Sequence, residues 1–431
     1  MKVVHKEISF NLGEVTAQEV PYLNAFYRHE GELNKDINDL LAFPLANQNA
    51  MPFYTIKDST TYKLNEQFEA YYAMMKDALK IAMEDRELMD KFFDCEFWRK
   101  HGDSFLPYAK YTFQKNHPAL YGRYDACFDP VTETLKGVYE FNGDTPVMLF
   151  ESVNLQARYS EELGTDQYNN YEAIFKEQIG KQNYNEVAVV VGTDYVEDMA
   201  TADTLCQMFR AALPAATVQF GDIKELDFDH ANLNKPFILK DDTEHLDAVF
   251  ILSPWEEMIE NFPKMLDHWE RWVDNVHLYE PAWRWFFAHK GMTALCWKLM
   301  ITNVEFMQKH INVRIIPTWL QADSQQGLLR GGKWVEKPVV GRLSNNIKIW
   351  DDGKVVSDTG GFYTGENTVF QLYVAPKQVE GRNNFIMGFW MCGDHAATLC
   401  MREFDSEVLS ISNERYIPHI VVEDEDGMEH A

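Results

Sequence analysis

Arg123, Asp125, Glu140 and Asn142 are the side chains whose types and spacing could do phosphate and metal chemistry. They lie in two β-prone runs, Tyr121-Gly122-Arg123-Tyr124-Asp125 and Val138-Tyr139-Glu140-Phe141-Asn142-Gly143-Asp144-Thr145-Pro146. Between the runs stands the turn-rich stretch Asp129-Pro130-Val131-Thr132-Glu133. Strand side chains alternate between faces, so Arg123 shares a face with Asp125, and Glu140 with Asn142. A hairpin folded about Thr132 and Glu133 puts Asp125 opposite Glu140 and Arg123 opposite Asn142. Two carboxylates, an amide carbonyl and a guanidinium then meet in one patch. Hard oxygen donors suit magnesium, and an adjacent arginine suits phosphate oxygens or a carboxylate. The same residues would also make an ordinary cross-strand ion pair on a solvated sheet face.

Several elements must hold that patch in place. Leu64, Phe68, Tyr71, Met75, Leu79 and Met83 recur at helical spacing and mark a core-facing helix. Cys95 to His117 reads as one or two further helices, ending near Pro118. After Pro146, the run Val147 to Ser152 reads as a helix start. Its free N–H groups could face an anion, or Asp144 and Thr145 could simply cap it. Strand-like Glu186 to Gly192, a helix from Asp198 to Ala212, strands at Thr217 to Gly221 and Leu246 to Leu252, and a helix from Trp255 to Trp272 give β-α-β alternation. That pattern predicts a parallel sheet covered by helices. Gly192 stands without a G-x-G-x-x-G run, which argues against a dinucleotide site. Asp352-Gly353 predicts a tight hairpin turn, and residues 385–403 read as two strands turning at Gly393-Asp394. Six tryptophans crowd positions 255 to 297 and read as packed core rather than a stacking platform.

Arg-aromatic-Asp followed by Glu-aromatic-Asn-x-Asp-Thr-Pro resembles the signature of the glutathionylspermidine synthase family of ATP-grasp ligases. Residues 105 to 420 carry the resemblance, through four short motifs. It implies an α/β (α+β) ATP-grasp fold with a pre-ATP-grasp parallel-sheet domain. The expected division is a mixed N-terminal part over 1–120, the hairpin and pre-ATP-grasp domain over 121–280, nucleotide-binding lobes over 281–420, and an acidic tail over 421–431. It further implies ATP and magnesium as cofactors. Asp125, Glu140 and Asn142 would hold the metal, while Arg123 would meet the reacting carboxylate and γ-phosphate. Arg402, in Cys400-Met401-Arg402-Glu403, would lie over the acyl phosphate; by its neighbours alone it would be a surface ion pair with Glu403 or Asp405.

The nucleotide contacts follow from the same resemblance. Glu280 to Lys290 is similar to the family's segment ending in a first lysine, here Lys290. The segment Trp334 to Ile347 delivers a second, Lys337, followed by a small-residue loop containing Leu343 and Ser344. Ser344 stands where the family often has a second glycine. Gln371, Leu372 and Tyr373 would form the hinge that reads adenine, with Leu409 and Asn413 near the nucleotide end. Met148 occupies the place where some members carry a cysteine beside a thiol substrate. The amidase domain fused to some relatives has no expected counterpart.

Composition bounds the partners. A net charge of −27 argues against nucleic acid and anionic membranes; it reads first as an acidic surface that aids solubility, and second as a field that could concentrate a cationic substrate such as a polyamine. Six cysteines form no C-x-x-C pair and thirteen histidines no metal pattern. Reduced thiols and the lack of an apolar leader or long apolar run predict a cytoplasmic protein. The expected function is an ATP-dependent carboxylate–amine ligase acting on small molecules through an acyl phosphate. An inactive nucleotide-binding scaffold is the alternative.

Overall fold

The computed structural model describes residues 1–8, 20–23, 25, 51–240, 242–321, 331–409 and 413–424. Phe26, Tyr27 and most of the acidic tail lie outside them. Two antiparallel sheets and one parallel sheet frame the candidate site. The larger antiparallel sheet runs in the order Glu414–Ile417, His395–Phe404, Asn384–Cys392, Arg123–Asp129, Thr134–Asn142, with Lys377–Gln378 paired beside Asn384–Cys392. The early hairpin is thus sewn into the C-terminal strands, and residues from both sides of position 280 share one sheet.

The hairpin register is the expected one: Arg123 faces Asn142 and Asp125 faces Glu140, with irregularities just beyond Asp125 and Cys127. Alternation then separates core from chemistry. Tyr124 and Phe141 point to the apolar side, 4.7 Å apart between ring centroids. The helix Asp58–Met83 backs that side, Phe68 lying 5.4 Å from Tyr124 and 4.5 Å from Phe389. All six residues of its expected apolar stripe are buried. Arg123, Asp125, Glu140 and Asn142 are left on the opposite face.

The second antiparallel sheet has the order Thr318–Leu320, Thr368–Leu372, Lys333–Pro338, Lys348–Asp351, Lys354–Asp358. Asp352 and Gly353 make its tight turn with φ of 43° and 77°, the left-handed pair such a turn requires. The four-stranded parallel sheet runs His277–Tyr279, Ala248–Leu252, Glu186–Val191, Thr217–Asp222 and carries the helix Val196–Ala212. Apart from Glu186 at one end, its central strands are buried, as β-α-β packing demands.

Two elements differ from expectation. The helix expected over Trp255 to Trp272 is broken into Trp255–Asn261, a short turn at Met265–Asp267 and Trp269–Trp272. Pro263, which cannot donate within a helix, sits at the break. After Pro146 the helix does not begin at Val147, because Met148 takes a φ of 74°. The chain instead enters a π-helical turn, Glu151–Leu155, continued as α-helix over Gln156–Leu163. Among the described residues, no helix is long and apolar enough to cross a membrane. All six cysteines are buried and free.

Candidate active site

Asp125 is the centre of a buried charge network. Arg123 donates from Nε to its Oδ1 at 2.9 Å, and Asn142 Nδ2 donates to its Oδ2 at 2.8 Å. Arg402 Nη2 lies 2.5 Å from the same Oδ2, while Arg402 Nη1 donates to Glu414 Oε2 at 3.0 Å. Burial alone would raise the Asp125 carboxyl, but the two guanidinium groups outweigh it and hold it at about 2. Arg402 is 3% exposed, so the sequence alternative of a surface pair with Glu403 or Asp405 is corrected. Glu403 is bound elsewhere, by Arg382 and Arg415.

Glu140 meets the cations of the other lobe. Lys290 Nζ lies 3.4 Å from Glu140 Oε2. Burial opposes ionisation of Glu140, yet Lys290 and Lys337 together hold its carboxyl below the usual range. Lys290 is no free surface lysine: it precedes the helix Gly291–Thr302 and donates to the Gly341 carbonyl at 2.9 Å. Lys337 leaves its strand toward Gln371 Oε1, at 3.0 Å, and the Tyr139 carbonyl, at 3.3 Å. Its burial lowers its pKa to about 8, against the raising influence of Glu140 and with the repulsion of Lys290.

A cleft of about 750 Å³, including its open mouth, lies between the antiparallel sheets. Asp125, Glu140, Lys337, Ser344, Gln371 and Arg402 line its charged part; Leu372, Tyr373 and Leu409 line the apolar part with Ile349, Ile386 and Phe404. Arg123, Asn142, Lys290 and Leu343 do not line it. Arg123 lies behind Asp125, stacked on Trp390 at 5.4 Å and donating to the Val147 carbonyl. Asn142 and Lys290 reach the cleft through Asp125 and Glu140. Among the described residues, no tryptophan lines the cleft; Trp255, Trp272, Trp283 and Trp285 are buried core.

The loop after Lys337 turns through left-handed backbone. Leu343, Ser344 and Asn346 have φ of 56°, 55° and 56°. Ser344 therefore adopts the left-handed conformation that glycine takes without strain, at a cost of about 1–2 kcal/mol. Arg342 anchors the loop, donating to Asp144 Oδ2 at 2.7 Å and lying 3.6 Å from Glu256 Oε2. Asn413 donates to Ser406 Oγ at 2.6 Å, at the cleft's outer edge.

Sequence reasoning missed Tyr139, Glu414, Glu407 and Arg342. Tyr139 and Arg342 sit inside the quoted motifs, so adjacency was a signal. Glu414 and Glu407 had none, since their partners Arg402 and Lys333 are chosen by folding.

The oxygen donors fit magnesium in one sense. Asp125 and Glu140 are both held ionised, and Asn142 adds an amide. Among the described residues, no three His, Cys, Asp or Glu side chains form a metal cage by themselves.

Residues 47–422 match the model of the glutathionylspermidine synthase preATP-grasp family. The chain belongs to that family. The glutathionylspermidine synthase family assignment is accompanied by curated relatives named as ligases and synthetases. One is a putative acid–amine ligase of Haemophilus influenzae, 24% identical over 72% of this chain and 77% of its own. Another is the trypanothione synthetase of Crithidia fasciculata, 19% identical over 72% of this chain, which spans only 49% of that protein. Two solved structures are also similar, a glutathione synthetase-like effector from Globodera pallida and a putative γ-glutamylcysteine synthetase from Methylobacillus flagellatus. They cover 85% and 74% of this chain, and 89% and 85% of their own, at 12% and 10% identity and TM-scores of 0.48 and 0.44. This member of the glutathionylspermidine synthase family has the ATP-grasp fold and is an ATP-grasp C–N ligase.

Proposed function

We propose that this chain joins a small carboxylic acid to an amine through an acyl phosphate, consuming ATP. The observation that carries the reading is convergence: the hairpin carboxylates Asp125 and Glu140 and the cations Lys337 and Arg402 line one cleft, with Lys290 paired to Glu140 behind it. Adenine would enter the apolar part, with the backbone of Leu372 and Tyr373 at its edge and Leu409 over it. Lys337 would hold the α-phosphate, and the loop at Leu343 and Ser344 would cover the distal phosphates with its N–H groups. Lys290 would draw charge from the same phosphates. Asp125, Glu140 and Asn142 would hold magnesium, which neutralises phosphate oxygens when bound.

The acid's carboxylate attacks the γ-phosphorus, ADP leaves, and the amine displaces phosphate from the acyl carbon. No covalent enzyme intermediate is required. The chain's work is to orient the acid against the γ-phosphate and to balance charge as it develops. Arg402, buried and with an unpartnered Nε, is the group placed to do this at the cleft wall. Arg123 would act from behind Asp125, holding that carboxylate in place.

An acidic set beyond Arg123 favours a cationic amine. Burial, Glu197 and Glu414 raise the Glu151 carboxyl, burial and Glu414 raise that of Glu197, and Asp198 is raised to about 6 by burial, Glu197 and Glu257. Polyamines and amino acids are therefore the amine classes of choice. The test is a matrix of glutathione and other di- and tripeptide acids against spermidine, other polyamines and amino acids, with magnesium and ATP. ADP is expected only where acid and amine are both present. Nucleotide binding without any acid- and amine-dependent ADP would leave the inactive scaffold instead.

A further inference from the structure

Gln371 stands in the cleft wall with its amide bonded at both ends inside the protein. Strand pairing brings its partners together. In its sheet Gln371 is the register partner of Thr318 on one side and of Val335 on the other. Residues two apart on a strand share a face, so Lys337 lies on the Gln371 face as its diagonal neighbour. Long side chains reach across such a diagonal. Val335, Lys337 and Gln371 all line the cleft.

The side chain is buried, and its three contacts are internal. Gln371 Oε1 accepts from Lys337 Nζ at 3.0 Å, while Nε2 donates to the Tyr139 carbonyl at 3.1 Å and to Thr318 Oγ1 at 3.3 Å. The ammonium sets this orientation, because a reversed amide would point its own N–H groups at Lys337. Both amide hydrogens are thereby placed, and no donor remains for a base. Lys337 also donates to the Tyr139 carbonyl, at 3.3 Å. Gln371, Lys337 and Tyr139 thus close a triangle between the nucleotide sheet and the hairpin strand that carries Glu140. Among the described residues, Gln371 and Tyr139 are the hydrogen-bond partners of the Lys337 ammonium, and its third hydrogen is left for a phosphate oxygen.

Resting on the nucleotide reading above, we propose that Gln371 is a positioning residue that aims Lys337 at the α-phosphate and takes no part in reading the base. Its whole effect on nucleotide binding passes through Lys337. A lysine ammonium is a compact charge on a flexible four-carbon stem, and by itself it samples many directions. Two fixed acceptors remove that freedom before the nucleotide arrives, so the ordering cost is not met at binding. Thr318 completes the arrangement from behind. Its hydroxyl donates to the Ile316 carbonyl at 2.9 Å, which turns its lone pairs toward Gln371 Nε2.

The test compares the affinities of magnesium ATP and magnesium ITP, whose bases differ at the 6-amino group. Calorimetry would measure both in the wild type, Gln371→Met, Lys337→Met and the double variant. Gln371→Met should weaken both nucleotides by the same factor, about 10–100-fold for lost hydrogen bonding to a charged group, and leave their ratio unchanged. In the Lys337→Met background the second substitution should add no further loss. Thr318→Val alters a side chain that does not line the cleft. It should weaken both nucleotides alike and by less, and it serves where Gln371→Met does not fold. A loss confined to ATP, or losses that multiply in the double variant, would overturn the assignment. A wild type that binds neither nucleotide, or a Lys337→Met variant that binds both as well as wild type, would instead overturn the nucleotide reading beneath it.

Discussion

Asp125 Oδ2 and Arg402 Nη2 lie 2.5 Å apart although a whole strand, Asn384–Cys392, runs between their backbones. The intervening residue is Gly388, register partner of both Asp125 and Cys400. Its missing side chain leaves the lane that the Arg123 side chain occupies on its way to Asp125.

Replacing Gly388 by alanine tests that lane. A Cβ there would lie 2.7 Å from the Cys400 carbonyl oxygen and 2.9 Å from Arg123 Cδ. The backbone contact cannot yield cheaply, so Gly388→Ala should destabilise the fold by about 1–3 kcal/mol. Thermal unfolding would show the loss, and turnover should fall further than stability alone explains, because Arg123 is displaced.

Arg402→Ala should damage both stability and rate. It strands Glu414 as a buried carboxylate without its arginine and leaves Asp125 with Arg123 and Asn142 alone, at about 3–5 kcal/mol. Where the variant still folds, turnover should drop about 10²–10³-fold, as for other lost preorganised donors. Urea unfolding and ADP release measure the two effects. Near-normal turnover would remove Arg402 from the mechanism.

Nucleotide binding should take up a proton above neutrality. Lys337 sits at about 8 in the free protein, against an ordinary 10.5. A phosphate favours its charged form and moves it back upward, so uptake appears between those values and vanishes well below them. Calorimetry of ATP binding near pH 9, in buffers of different ionisation enthalpy, should show it. Lys337→Arg, always charged, should abolish it.

Acid stability should report on Asp125. Its folded pKa of about 2 lies below the ordinary 3.8, so its stabilisation is complete above 3.8 and is lost as pH falls through 2. Asp125→Asn should therefore be less stable than wild type at neutral pH, and the gap should close on acidification across that interval. A gap independent of pH would mean that the arginines do not depend on the charge.

The hairpin register, the parallel sheet, the Asp352-Gly353 turn and the stripe of the long helix were legible in the residues alone. Each is decided by local alternation, turn chemistry or helical spacing, which act between neighbours in sequence. The Trp255 to Trp272 helix and the start after Pro146 were misjudged because Pro263 and the left-handed Met148 override an apolar pattern. Resemblance supplied the nucleotide segments, since no spacing links Lys290 and Lys337 to Asp125. Only the tertiary structure decided that Arg402 is buried between Asp125 and Glu414 and that Arg123 stands behind the cleft wall. Those pairings join residues from 12 to nearly 280 positions apart. Their partners are selected by which strands become neighbours and where a glycine leaves room, and a linear pattern carries no record of either.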